Sequence, residues 1–420
     1  MLERASGIEV GAHVVLRVRI GPLRHRWISE HRVYDQDRYC FRDTQVKGPF
    51  AHWDHTHRVE PVGPSTCILE DRIEYLLPLG PIGNILGGSY VRRKLARMFD
   101  YRQRVTAQDI AAHRQRGSAT LMTILVTGAS GLVGSALVPF LATGGHQVIR
   151  LVRPQSAHRE GGVLWDPSAG RLDASSLERV DAVVHLAGEN VAGGRWTAER
   201  KAEIRDSRVQ GTRLLCESLA RLARPPKVVV CASAVGYYGD RGDERLIEES
   251  APGSGFLAEV CRAWEAAAEP AVRRGIRVVN LRIGVVLSPA GGALAKLLPL
   301  FQIGAGGTLG SGAQYMSWVS IDDVIGAVHH ALMTEGLRGP VNVVAPEPVT
   351  NREFTRTLGR VLARPTLLPA PAFALRLVLG EMADEALLAS ARVAPSRLLA
   401  TGYAFRSSHL EGALRHLLGR

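Results

Sequence analysis

The sequence has little that would carry it into or across a membrane. No uninterrupted apolar run approaches the roughly 20 residues that a helix needs to span a bilayer. The opening residues, MLERASGIEV, hold no apolar core of the signal-peptide kind, so a cytoplasmic protein is expected. Cysteine is scarce: Cys40, Cys67, Cys216, Cys231 and Cys261 lie far apart with no CxxC pair. That spacing argues against a zinc ribbon or a disulfide framework and fits reduced thiols. Acidic residues are also in the minority, 40 Asp and Glu against 52 Lys and Arg, for a net charge of +12. The excess is not concentrated, because residues 1–120 hold 19 basic and 13 acidic side chains, +6, and the remaining 300 hold the other +6. With no dense basic tract and no interleaved aromatics, a nucleic-acid partner is not expected. A local anion site is the better use of some of these arginines.

What is present is an ordinary globular balance, 46% hydrophobic and 22% charged, over 420 residues, enough for two or three domains. Residues 9–77 alternate with period two in five runs, HVVLRVRI, RWISEHRVY, RYCFRDTQV, HWDHTHRVE and TCILEDRIEYLL. Turn clusters such as YDQD and PVGPS separate them, which predicts an antiparallel meander. Residues 84–113 then show helical spacing through Leu86, Tyr90, Leu95, Met98 and Phe99. A curved sheet closed by one long helix is the α+β unit expected for 1–113. Residues 114–121 read as a polar linker.

From Met122 the pattern changes. TILVTGA, QVIRLV, DAVVHLA, KVVVCAS and RVVNLRI are near-continuous apolar strands alternating with helical segments, chiefly 198–222 and 256–273. That alternation predicts a parallel, doubly wound α/β sheet of the Rossmann type over 122–420, with about 288–420 supplying a substrate lobe.

The string VTGASGLVG places Gly128, Gly131 and Gly134 directly after a strand and at a helix start. The first glycine permits the tight turn, the second lets backbone reach a pyrophosphate, and the third lets helix pack on strand. The helix N-terminus offers unpaired N–H groups and a partial positive charge to the phosphates. Dinucleotide binding by Gly128, Ser130, Gly131, Leu132 and Gly134 follows. An NAD site places Asp or Glu at the end of the second strand, yet no acidic residue lies between Ser135 and Arg159. Arg150 and Arg153 stand there instead, and a guanidinium at Arg153 can fork onto a 2′-phosphate. NADP(H) is therefore expected in preference to NAD(H).

The TGxxGxxG spacing and the HLAG string at 185–188 resemble the extended, epimerase-type branch of the short-chain dehydrogenases/reductases. HLAGENVAGGRWTAERKAEIRDSRVQGT, ASAVGYYGD, FLAEVCRAWEAAA, LRIGVVLSPAGGAL and GSGAQYMSWVSIDDV narrow the match. Together they resemble the epimerase-family oxidoreductases of unknown substrate, an atypical group, over about 122–420. The resemblance implies cofactor contacts at Arg153, Leu186, Ala187, Glu203 and Arg208. GPFAHWDHTHRVEP and LEDRIEYLLPLGPIG in turn resemble the C-terminal part of a START-like (SRPBCC) domain. Such domains begin with a strand and two short helices that have no counterpart here, so the expectation for 1–113 is either an incomplete apolar-ligand pocket or a true start that lies upstream.

In extended reductases, a Ser or Thr after the fourth strand and a Tyr-xxx-Lys pair on the next helix perform the acid–base work. Ser233 fits the first position. Counting back from Trp264 and Glu265 places Leu257 and Cys261 in the tyrosine and lysine slots, where neither can serve. Cys261 reads as a packed helix residue rather than a nucleophile, since nothing near it in sequence would lower its pKa. Tyr237 and Tyr238, shortly after Ser233, are candidates for a substitute proton donor, for stacking on the nicotinamide or for simple packing, and Glu189, counted among the cofactor residues, and Asn190 should face the same crevice. Trp318, Asp322 and Asp323 are expected to close the substrate lobe, with one of the aspartates capping the next helix. His55 and His57 share a strand face at metal-like spacing, but no third ligand is evident in sequence, so a sheet surface is expected and no metal.

Three functions remain open: an NADP(H)-dependent oxidoreductase or epimerase acting on a small molecule, a non-catalytic NADP(H) sensor, or a reductase coupled to an apolar-ligand domain. Nothing in the sequence sets the substrate, the reaction direction or the oligomeric state.

Overall fold

The computed structural model describes residues 2–5, 9–20, 23–114, 121–154 and 162–420. The chain divides into two compact units, Met1–Asp100 and Tyr101–Arg420. Most of the expected linker, residues 115–120, lies outside the described residues.

The first unit is a six-stranded antiparallel meander in chain order: β1 (Leu2–Ala5), β2 (His13–Ile20), β3 (Leu23–Asp35), β4 (Cys40–Lys47), β5 (His52–Gly63) and β6 (Thr66–Leu76). The five alternating runs became β2–β6, and β1 is an additional edge strand. Helix α1 runs Gly80–Arg114, so the division between the units falls inside it. Its last residues belong to the second unit. There His113 stacks on Phe140 with ring centroids 4.3 Å apart, and Arg406 Nη1 donates to Asp109 at 2.7 Å. The sequence placed the boundary at 113 because a continuous helix shows no composition break at its middle.

The second unit is built on β7 (Thr123–Thr127), α2 (Leu132–Thr143), β8 (Gln147–Val152), β9 (Val163–Asp166), β10 (Arg171–Leu172), β11 (Ala182–His185), α3 (Ala198–Arg221), β12 (Val228–Ala234), α4 (Phe256–Ala266), β13 (Arg277–Ile283), α5 (Ile321–Met333) and β14 (Gly339–Val343). One sheet runs β10-β9-β8-β7-β11-β12-β13-β14, parallel except for the β9–β10 edge hairpin. Successive residues face opposite sides. Ile124, Val126, Val184 and Val230 pack under α2 and α5, while Leu125, Val183 and Val229 pack under α3. Burial on both faces explains why these strands read as continuous apolar runs. The stretch assigned to a substrate lobe, 288–420, is partly built into this sheet: α5 covers one face and β14 pairs with β13. Among the described residues no helix is long and apolar enough to cross a membrane.

Candidate functional site

Strand order reverses between β7 and β11, the switch point at which open α/β sheets leave a crevice beyond their carboxyl ends. The cleft there is lined by Gly128, Ser130 and Gly131 after β7, Arg153 after β8, Leu186, Ala187 and Glu189 after β11, and Trp165, Pro167, Gly188 and Ser207. Seven of the sequence-predicted cofactor residues thus meet in one place.

Gly128 has φ +66°, and a Cβ there would lie 2.8 Å from the Leu186 carbonyl carbon. Only glycine permits both the turn and the close approach of the two loops. A Cβ on Gly134 would stand 2.2 Å from the Gly128 carbonyl oxygen, so Gly134 packs helix on loop and does not line the cleft. Leu132 likewise opens α2 without lining it. Gly131 is the N-cap of α2 and supplies no side-chain cap, leaving first-turn N–H groups at the cleft mouth for an anion.

The floor is fixed by a buried chain of hydrogen bonds. Thr127 Oγ1 accepts from the Leu186 and Ala187 N–H groups, each at 3.1 Å, and lies 2.7 Å from His185 Nδ1. His185 Nε2 lies 3.0 Å from Thr212 Oγ1, which also accepts from Trp264 Nε1 at 2.9 Å. With both its lone pairs used, Thr127 must give its own proton to His185, which makes His185 the neutral Nε2–H tautomer. Burial is the cause that lowers the His185 pKa to about 4.

Arg153 Nη1 lies 3.4 Å from Glu189 Oε1, and Arg200 Nη1 lies 3.5 Å from Glu189 Oε2 and 2.7 Å from Glu203 Oε2. Glu203 therefore acts on the cleft through Arg200 and stands outside its lining. Arg208 is outside it too: its guanidinium lies over Trp264, 5.0 Å from the ring centroid, and donates to the Ile204 carbonyl. Asn190 was expected to face the crevice, but its Oδ1 accepts from the Ala192 N–H and closes a local turn.

A second polar group sits at the ends of β12 and β13, where Ser233 and Arg282 are direct partners in register. Ser233 Oγ donates to Glu265 Oε1 at 2.7 Å, and Arg282 grips both Glu265 oxygens at 2.9 Å. Burial alone would lower the Arg282 pKa, but the Glu265 carboxylate more than offsets it and holds the guanidinium charged. The Tyr237 ring lies on that guanidinium, 3.4 Å from Cζ to centroid. Tyr238 is fully buried; its hydroxyl donates to Asn342 Oδ1 at 2.7 Å and accepts from Arg282. That burial withdraws Tyr238 as a proton donor to substrate. Sequence reasoning missed Arg282, although a charge inside the apolar run RVVNLRI was its signal.

On α4, partly buried Leu257 lies beside Gly236 and packs against the cluster of Trp196, Ile204 and Met382. Cys261 Sγ donates to the Ala234 carbonyl, and burial, then Glu265, pushes its thiol up to about 11. Trp318 is buried, with Nε1 on the Glu347 carbonyl. The helix α5 is capped by Ser320 rather than by an aspartate: Ser320 Oγ accepts from the Asp323 N–H. Asp323 instead accepts from the Arg406 and Ser407 N–H groups and pins the C-terminal segment.

A model of the NAD dependent epimerase/dehydratase family matches residues 124–344, and a domain of unknown function, DUF1731, matches 370–417. An epimerase family protein of Mycobacterium bovis is 44% identical over 297 residues, covering 71% of this chain and 98% of that protein. Among solved structures, one described as a nucleoside-diphosphate sugar epimerase from Corynebacterium glutamicum has 33% identity and a TM-score of 0.77, covering 97% of this chain and 80% of that one. The human epimerase family protein SDR39U1, solved with NADPH, has 34% identity and a TM-score of 0.64, covering 70% of this chain and 99% of its own.

Proposed function

Because the chain belongs to the NAD dependent epimerase/dehydratase family, we propose that it is an NADP(H)-dependent oxidoreductase of a small carbonyl or alcohol. The observation that carries this reading is Arg153 facing the Gly128–Gly131 loop across one cleft, with no acidic residue from Ser135 to Arg159. In that cleft the α2 N-terminus would hold the pyrophosphate, Leu186 and Ala187 would underlie the adenosine, and Arg153 would fork onto the 2′-phosphate. The bound nicotinamide would supply or accept the hydride. Tyr237, fixed on the Arg282 guanidinium beside Ser233, is the proton donor that this reading favours. The human relative solved with NADPH supports the cofactor assignment. Titrating the full chain with NADPH and NADH tests it: at least tenfold tighter NADPH binding is expected, with the preference erased in Arg153→Glu. Equal affinities in the wild type would sink it.

A second reading, a non-catalytic NADP(H) sensor, draws support from the sequence count that assigns partly buried Leu257 and buried Cys261 to the tyrosine and lysine slots of extended reductases. It predicts tight NADPH binding without turnover over a broad carbonyl panel. It also predicts that Ser233→Ala and Tyr237→Phe leave any cellular phenotype intact. The meander and α1 support a START-like reading of residues 1–113 as an apolar-ligand domain, which native mass spectrometry of the purified chain would test through a co-purified ligand.

A further inference from the structure

The pleat of β5 turns Trp53, His55 and His57 to one buried face. Antiparallel register then sets Asp43 of β4 opposite His55, and Asp71 of β6 opposite His57. Two separate sets of contacts result. His55 Nε2 and His57 Nδ1 lie 3.1 and 2.8 Å from the same oxygen, Asp71 Oδ1, at hydrogen-bond length. The other nitrogens, His55 Nδ1 and His57 Nε2, lie 3.6 and 3.5 Å from Asp43 Oδ1. Those separations are long for hydrogen bonds. They match the edge of a tetrahedron whose vertices stand about 2.0–2.1 Å from a central ion, roughly 3.4 Å.

We propose that Asp43, His55 and His57 form a binding site for one divalent ion of the zinc class, with Asp71 orienting both imidazoles. The division of labour is chemical. A metal-ligating histidine ordinarily gives its second ring N–H to a carboxylate, which fixes the tautomer and aims the other nitrogen at the ion. Asp71 stands in that place for both rings at once. Two imidazoles and one carboxylate suit zinc or another first-row divalent ion better than magnesium or calcium, and three protein ligands leave a coordination position open. The surroundings are preorganised: Phe41 stacks on the His57 ring at 4.1 Å, and Phe99 meets the His55 ring edge-on at 5.4 Å. His31 faces Asp43 from β3, and its Nδ1 is buried with no hydrogen-bond partner among the described residues, which offers a further donor on the same row. The sequence showed only the two histidines, because the acids arrive from neighbouring strands whose register is not written locally.

The test uses the full chain, freed of any affinity tag and dialysed against chelator, titrated with Co2+ and followed by visible absorption and elemental analysis. A single bound Co2+ with intense d–d bands is expected. Asp43→Asn and His57→Gln should each abolish the bands, whereas Asp71→Asn should keep one ion at about 10–100-fold weaker affinity. His52→Gln, an exposed position on the same strand, should change nothing. A wild type that binds no Co2+, or binding that survives both ligand substitutions, overturns the proposal. If circular dichroism shows that the variants do not fold, X-ray absorption of the wild-type cobalt complex decides. Two imidazoles and a carboxylate support the site, and a thiolate or fewer than two imidazoles overturns it.

Discussion

Glu265 and Arg282 form a two-pronged ion pair, 2.9 Å at each carboxylate oxygen, with the arginine side chain only 3% exposed. Ser233 hangs its hydroxyl on one of those oxygens and Tyr237 lies on the guanidinium, so one buried pair positions both of these protic groups.

Removing one partner of such a pair leaves an uncompensated charge in the interior, which costs about 3–5 kcal/mol. Glu265→Gln should therefore lower unfolding stability by that amount in urea melts, with Arg282→Met on the same background recovering part of the loss. A Glu265→Gln protein as stable as the wild type would show that the pair is hydrated and not a positioning device.

Gly128→Ala should be far worse than Gly131→Ala. At Gly128 an alanine must adopt a left-handed backbone, costing roughly 1–2 kcal/mol, and also meets backbone at 2.8 Å. At Gly131 the added methyl would come no closer than 3.2 Å to the Gly128 oxygen, on an extended backbone. The first variant should lose both fold stability and NADPH binding. The second should keep its melting temperature while NADPH affinity falls at least tenfold, read by fluorescence titration.

His185 makes stability depend on pH with a definite sign. Its folded pKa, about 4, lies below the unfolded value of 6.5, so the unfolded chain binds the proton more readily. The penalty is absent above pH 6.5, grows as pH falls toward 4, and saturates below that near 3 kcal/mol. Urea melts at pH 7 and pH 5 should show this loss, and His185→Gln should flatten it even while being less stable at pH 7. An unchanged slope in the variant would assign the acid sensitivity to other groups.

The phosphate loop was legible because its glycines answer to local geometry: Gly128 turns the chain within one motif. The doubly wound sheet was legible because burial on both faces makes Ile124 through Val126 uniformly apolar. What escaped was set by pairing at a distance. Tyr238 looked available until Asn342, far along the chain, took its hydroxyl. Asp43 and Asp71 join the two histidines only through strand register, and Trp165 enters the cleft from β9, a short strand of the edge hairpin that carries no motif. The cap of α5 was not legible because Ser320, Asp322 and Asp323 fall within four residues and each is a residue type that caps helices, and only the backbone turn selects Ser320.

The last prediction separates the cysteines. Burial and the Glu265 carboxylate hold the Cys261 thiol at about 11, so at pH 8 only about one molecule in a thousand carries the thiolate that attacks an alkylating agent. Cys216 and Cys231 are buried as well, whereas Cys67 is exposed. Brief treatment of the native chain with iodoacetamide should modify Cys67 and leave Cys261 intact, as read by peptide mass spectrometry. Cys261→Ala should correspondingly keep NADPH affinity within about twofold, since the thiol contributes packing and one weak bond to the Ala234 carbonyl. Labelling of Cys261 as fast as Cys67 would mean that α4 opens readily in solution. Cys261 would then have to be weighed again as a nucleophile.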